Sequence, residues 1–86
     1  MGCSSTPKQQ PSEKELYDAA KRAIKVRNFS QATIALEDLE SRFPFGKYAE
    51  QAQLDLIYAR YSALDLDGSI IAADRFIRLH PQSPSV

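Results

Sequence analysis

Eighty-six residues with eleven basic and eleven acidic side chains carry no formal net charge, so neither nucleic acid nor an anionic membrane surface has a bulk electrostatic reason to bind. One cysteine and one histidine exclude a disulfide framework and any metal site built from those ligands. No stretch approaches the ~18 apolar residues of a membrane span, and no signal-peptide core is present, which leaves the N-terminus as the only route to a membrane.

Residues 1–11 contain two prolines and no large aliphatic or aromatic residue beyond Met1, and read as a disordered tether. Extended, it reaches about 25–30 Å. Cys3 lies at its start, and three readings of that residue stay open on the tail alone. Gly2 with the following Cys-Ser-Ser-Thr fits an N-myristoylation pattern, with Cys3 as a palmitoyl site. A Gly-Cys junction is also where a bacterial lipoprotein is cleaved and acylated. The third reading is an incidental thiol.

Order is expected from Ser12. Ser12-Glu13-Lys14-Glu15 is a capping box, and Leu16, Ala20, Ala23 and Ile24 then share one helical face, with Tyr17 and Ala19 beside it. This helix is predicted to end near Val26, with Asn28 supplying a left-handed turn. A second helix is predicted from about Ser30 to Phe43, where Pro44 stops it. Ala32, Ala35, Leu36, Leu39 and Phe43 form its stripe, and Asp38 can pair with Arg42 one turn on. The third, roughly Tyr48 to Leu64, is apolar around much of its circumference and should touch neighbours on two sides. The fourth is predicted to start at Asp67 as N-cap and to use Ile70, Ala73, Phe76, Ile77 and Leu79 before His80-Pro81 closes it. With no alternating strand pattern, the class is all-α.

The two helix pairs echo each other. NFSQATIALEDLESRFP and DLDGSIIAADRFIRLHP both run from a turn through a small residue, Ala32 or Ser69, to a proline-stopped helix, and Pro44 and Pro81 stand 37 residues apart. The period is close to the 34 residues of tetratricopeptide repeats. The first pair resembles that repeat, with Ala20 at the helix contact, Phe29 at the turn, and Ala32, Leu36 and Pro44 at the required spacing. The second is degenerate, with Ile57 at the small contact position and Ala73 at the bulky one. The expected architecture is therefore two tetratricopeptide-like hairpins, residues 12–45 and 46–82, opening a right-handed solenoid, with 83–86 frayed.

No glycine-rich phosphate loop and no nucleophile with a histidine partner point to catalysis, so no enzyme and no cofactor is expected. Asp55, Asp65 and Asp67 read as caps or solvated charges, and His80 as a helix-end cation. Binding is the positive expectation. In such repeats the first helix of each pair lines a groove, which selects Lys14, Tyr17 and Lys21 from helix one and Leu54, Tyr58 and Tyr61 from helix three. Tyrosines give apolar area at low entropic cost and lysines give charge, a seat for an extended peptide with aromatic side chains and a carboxylate. Packing between helices remains the other reading of the tyrosines, and a solvated basic face that of the lysines.

The segments ESRFPFGKYAEQAQLDLIYA, LDLIYARYSALDL and ADRFIRLHPQSP narrow this further. From about Leu16 to Pro84 the chain resembles the BamD (ComL) family, tetratricopeptide-repeat lipoproteins of the outer-membrane β-barrel assembly machinery in Gram-negative bacteria. The resemblance implies a lipid-bearing Cys3, with Ser4 beside it suiting outer-membrane retention at the periplasmic face. It also implies ligands: the C-terminal segment of an unfolded outer-membrane protein, or an extended segment of the partner lipoprotein BamC. The family carries more repeats than the two seen here, so the chain is expected to be an N-terminal piece. Docking to BamA belongs to the family's C-terminal half. Two other roles stay open, a purely structural brace and a cell-wall-associated lipoprotein that binds glycan. A fourth helix that bares Ile70, Ile71, Phe76 and Ile77 would favour self-association.

Overall fold

A computed structural model describes residues 10–83; Cys3, most of the expected tether and residues 84–86 lie outside it. Among the described residues there are four helices and no strand: α1 (Glu13–Lys25), α2 (Phe29–Arg42), α3 (Ala49–Ser62) and α4 (Leu66–Leu79). Each packs on the next in chain order, α1 on α2, α2 on α3, and α3 on α4. None is long and apolar enough to cross a membrane.

Local chemistry sets the helix ends. The capping box forms as expected: Ser12 Oγ accepts from the Glu15 amide at 3.1 Å, and the Ser12 amide donates to Glu15 Oε1 at 2.7 Å. At the next turn the left-handed residue is Arg27 (φ 62°), not Asn28. Asn28 instead caps α2, its side chain accepting from the Gln31 amide at 3.2 Å, a role that needs non-helical backbone at negative φ. The second pair repeats this 37 residues later, with Leu64 left-handed (φ 67°) and Asp65 accepting from the Gly68 amide at 3.0 Å. Asp65 is therefore the cap of α4. Asp67, expected to cap, lies in the first turn, where its charge meets the helix dipole. Arg42 and Asp38 pair at 2.8 Å as their spacing predicts.

The core joins three helices: Leu16 and Ala20 from α1, Ala32, Leu36 and Leu39 from α2, and Ala52, Leu56 and Ala59 from α3. Ala20, Ala32 and Ala59 are completely covered, so the backbones approach where only a methyl group intervenes. Leu36 and Leu39 fill the space beside them. At the aligned contact positions of the second pair, Ile57 and Ala73 are both half-buried. The fully covered Ala59 of α3 belongs, with Ala52 and Leu56, to the core shared with the first pair.

α4 bares Ile70, Ile71 and Ile77 as expected but turns Phe76 inward. Ser69, Ala72 and Phe76 are buried against its neighbour, while Ile70, Ile71, Ile77 and Leu79 are roughly half or more exposed. Phe76, expected among the bared residues, is 2 % exposed. The apolar residues of α4 cover more of its circumference than α3, its main packing partner, can bury, so the apolar pattern alone does not choose the face.

Candidate functional site

α1 sets Tyr17 and Lys21 against Tyr48 and Asp55 of the next repeat, while the other groove candidates, Lys14 on α1 and Leu54, Tyr58 and Tyr61 on α3, meet none of one another across the two helices in the described contacts. The Tyr17 ring, half-buried on α1, stacks on Tyr48 at the start of α3, with centroids 4.8 Å apart and planes 18° apart. One turn along α1, Lys21 Nζ lies 5.8 Å from the Tyr17 ring centroid and 3.7 Å from Asp55 Oδ2 on α3. Asp55 Oδ1 accepts from Gln51 Nε2 at 3.0 Å. Its Oδ2 is buried and accepts no hydrogen bond of normal geometry among the described residues. Burial first, then the negative charge of Asp55, pushes the Tyr17 phenol above its ordinary value.

Lys14 lies one turn back on α1, at the exposed edge. It pairs with Asp18 at 2.7 Å, and the hydrogen bond and charge of that carboxylate hold its ammonium above the usual lysine value. Leu54, half-buried, and the more exposed Tyr58 and Tyr61 follow one another at helical spacing along α3. Tyr58 also packs edge-on against Phe29 at 5.9 Å, so one side of its ring is committed to the fold and the other is open.

Asp55 and Tyr48 complete this face, and reading the sequence for a groove misses both. Asp55 is not the freely solvated charge expected: its side chain is 13 % exposed. A carboxylate set between Leu54 and Leu56 is the local signal that marks it. His80 also does more than end a helix. Its Nε2 meets Gln53 Oε1 at 2.8 Å, its ring packs on Phe76, and Gln53 Nε2 donates to Glu40 at 3.4 Å. Arg75 closes on the same Glu40 at 2.7 Å, and Arg60 pairs with Glu37. These pairs line a cleft of about 360 Å³ between α2, α3 and α4. Acid and base neutralise each other there across the helices, which straps the repeats together.

The tetratricopeptide repeat family model matches residues 4–86. The chain belongs to that family. It is similar to proteins named outer membrane protein assembly factor BamD: 45 % identical to that of Vibrio cholerae over 83 residues, 94 % of this chain and 34 % of the relative. Against the BamD of Neisseria meningitidis serogroup B the identity is 43 % over 87 % of this chain and 28 % of the relative. Against that of Haemophilus influenzae it is 38 % over 99 % of this chain and 33 % of the relative. The tetratricopeptide chain thus spans about a third of the length of the curated relatives it matches, and its resemblance to BamD covers nearly all of the described helices.

Proposed function

We propose that this tetratricopeptide pair acts in outer-membrane protein assembly as part of a BamD-type scaffold, and that the face shared by α1 and α3 binds extended peptide. The carrying observation is the Tyr17–Tyr48 stack beside the Lys21–Asp55 pair, with the exposed rings of Tyr58 and Tyr61 further along α3. Rings held in place lose little entropy on contact with a ligand, and a charged pair at the edge of an apolar strip fixes the register of a bound chain. The ligand class that fits is a segment with alternate aromatic side chains, as at the C-terminus of a β-barrel protein, or an extended stretch of a partner lipoprotein such as BamC. A lipid anchor through Cys3 at the outer membrane completes the proposal, with engagement of BamA left to the C-terminal half of such a scaffold.

Two double variants test it by fluorescence anisotropy of a labelled peptide. Tyr58→Ala with Tyr61→Ala removes exposed ring area without opening the core and is expected to weaken binding at least tenfold, the scale of two aromatic anchors. Lys14→Gln with Lys21→Gln is expected to weaken it less, because both cations are partly neutralised already. Binding that neither pair alters would move recognition off this face.

A further inference from the structure

Lys21 is the cation this groove offers to a ligand carboxylate, and a carboxylate of the protein already holds it. The two side chains differ in freedom. That of Lys21 is 50 % exposed and that of Asp55 only 13 %. Gln51 anchors Asp55 through Oδ1, and Tyr17 faces the same carboxylate from α1. The lysine can swing toward solvent; the aspartate cannot follow. Asp55 Oδ2, buried and without a partner of normal hydrogen-bond geometry, is compensated by the Lys21 charge, with the Tyr17 phenol beside the same carboxylate. Lys14 offers no comparable case, since it and Asp18 are both largely solvated and a pair of that kind contributes little.

We infer that Asp55 is a specificity-determining residue of this groove, an internal competitor that a ligand carboxylate must displace from Lys21. The inference rests on the peptide-binding reading above. When a ligand carboxylate approaches, one ammonium must serve two carboxylates, and the partly desolvated Asp55 is repelled by the newcomer. Aromatic contact then supplies the attraction, and the end charge of the peptide contributes much less than an unopposed lysine would give. The groove so built accepts free carboxyl termini but releases them readily, and it discriminates weakly between a terminal and an internal segment of the same sequence.

The test measures anisotropy with two forms of one labelled peptide ending in an aromatic residue, the free acid and the C-terminal amide, against the wild-type chain and Asp55→Asn. Asparagine keeps the shape and the Gln51 contact and removes the charge. Asp55→Asn is expected to raise the affinity of the free acid relative to that of the amide roughly two- to fivefold, the range that partly exposed ion pairs span. An acid-to-amide affinity ratio that Asp55→Asn leaves unchanged or lowers overturns the inference. Lys21→Met serves if Asp55→Asn does not fold: with Asp55 unopposed, the acid must bind it more weakly than the amide, and equal affinities count against the competitor role. Absence of binding by either peptide to either chain sinks the groove reading itself, an outcome distinct from failure of the Asp55 role.

Discussion

Glu13, in the first turn of α1, accepts the backbone amide of Tyr48 at 2.8 Å, tying the start of one repeat to the start of the next. The same carboxylate takes the Lys47 amide at 3.2 Å, so two N–H groups ahead of α3 find an acceptor that their own helix does not supply. Gly46 makes room for it: a Cβ there would overlap the Glu13 carboxylate. Glu50 occupies the matching place in the second repeat, 37 residues on, and accepts from Ser83 Oγ at 2.8 Å.

Removing this staple is expected to destabilise the chain measurably. Glu13→Ala leaves two amides without their charged acceptor and should cost about 1–3 kcal/mol in urea unfolding. Gly46→Ala should cost a similar amount by expelling the carboxylate, yet add little in the Glu13→Ala background. A double-mutant cycle with additive losses contradicts the coupling.

Two aspartates separate the observed cap of α4 from the expected one. Asp65→Ala should cost about 1 kcal/mol through loss of the Gly68 contact, and Asp67→Ala only a few tenths through the helix dipole. Thermal unfolding followed by circular dichroism distinguishes them, and the reverse order would restore Asp67 as the cap.

The difference shows which parts of this fold a sequence exposes. The Ser12–Glu15 box, the Pro44 stop and the 37-residue echo are legible because each depends on residues within a few positions or on a repeated pattern. Asn28 and Asp65 mark their turns correctly, but residue type alone does not separate a left-handed residue from the cap that follows it. The inward face of α4 and the Lys21–Asp55 pair depend on how separate helices register against one another. Ser69 and Ala72 are buried because α3 lies against them, and no local periodicity favours them over Ile70 and Ile77.

Core burial orders another set of variants. Leu36→Ala and Leu39→Ala empty fully covered positions and should each cost about 2–5 kcal/mol, a large part of the stability of a domain this size. Ile71→Ala, at a residue 66 % exposed, should stay within about 0.5 kcal/mol. Denaturant midpoints that fail to separate the two classes contradict the described packing.

Tyr17 gives the groove its own pH signature. The phenol is neutral in both folded and unfolded chains at pH 7, and its folded value lies above the ordinary 10.0. The resulting stabilisation is intact below the unfolded value and is lost as pH rises through the folded one. Ultraviolet titration should therefore show a phenol ionising above the ordinary tyrosine value, a step absent in Tyr17→Phe. Asp55→Asn should move that step down only part of the way, since burial contributes more than the Asp55 charge. A titration unchanged by Tyr17→Phe contradicts the assignment.

The most direct test of the central claim is a residue-resolved NMR titration of the isotope-labelled chain with a peptide copied from the C-terminus of an outer-membrane β-barrel protein. The account predicts saturable shifts at Tyr17, Lys21, Leu54, Asp55, Tyr58 and Tyr61, with the α2–α4 cleft residues Glu37 and Arg75 unmoved. A folded spectrum that stays still, or shifts confined to that cleft, would contradict it.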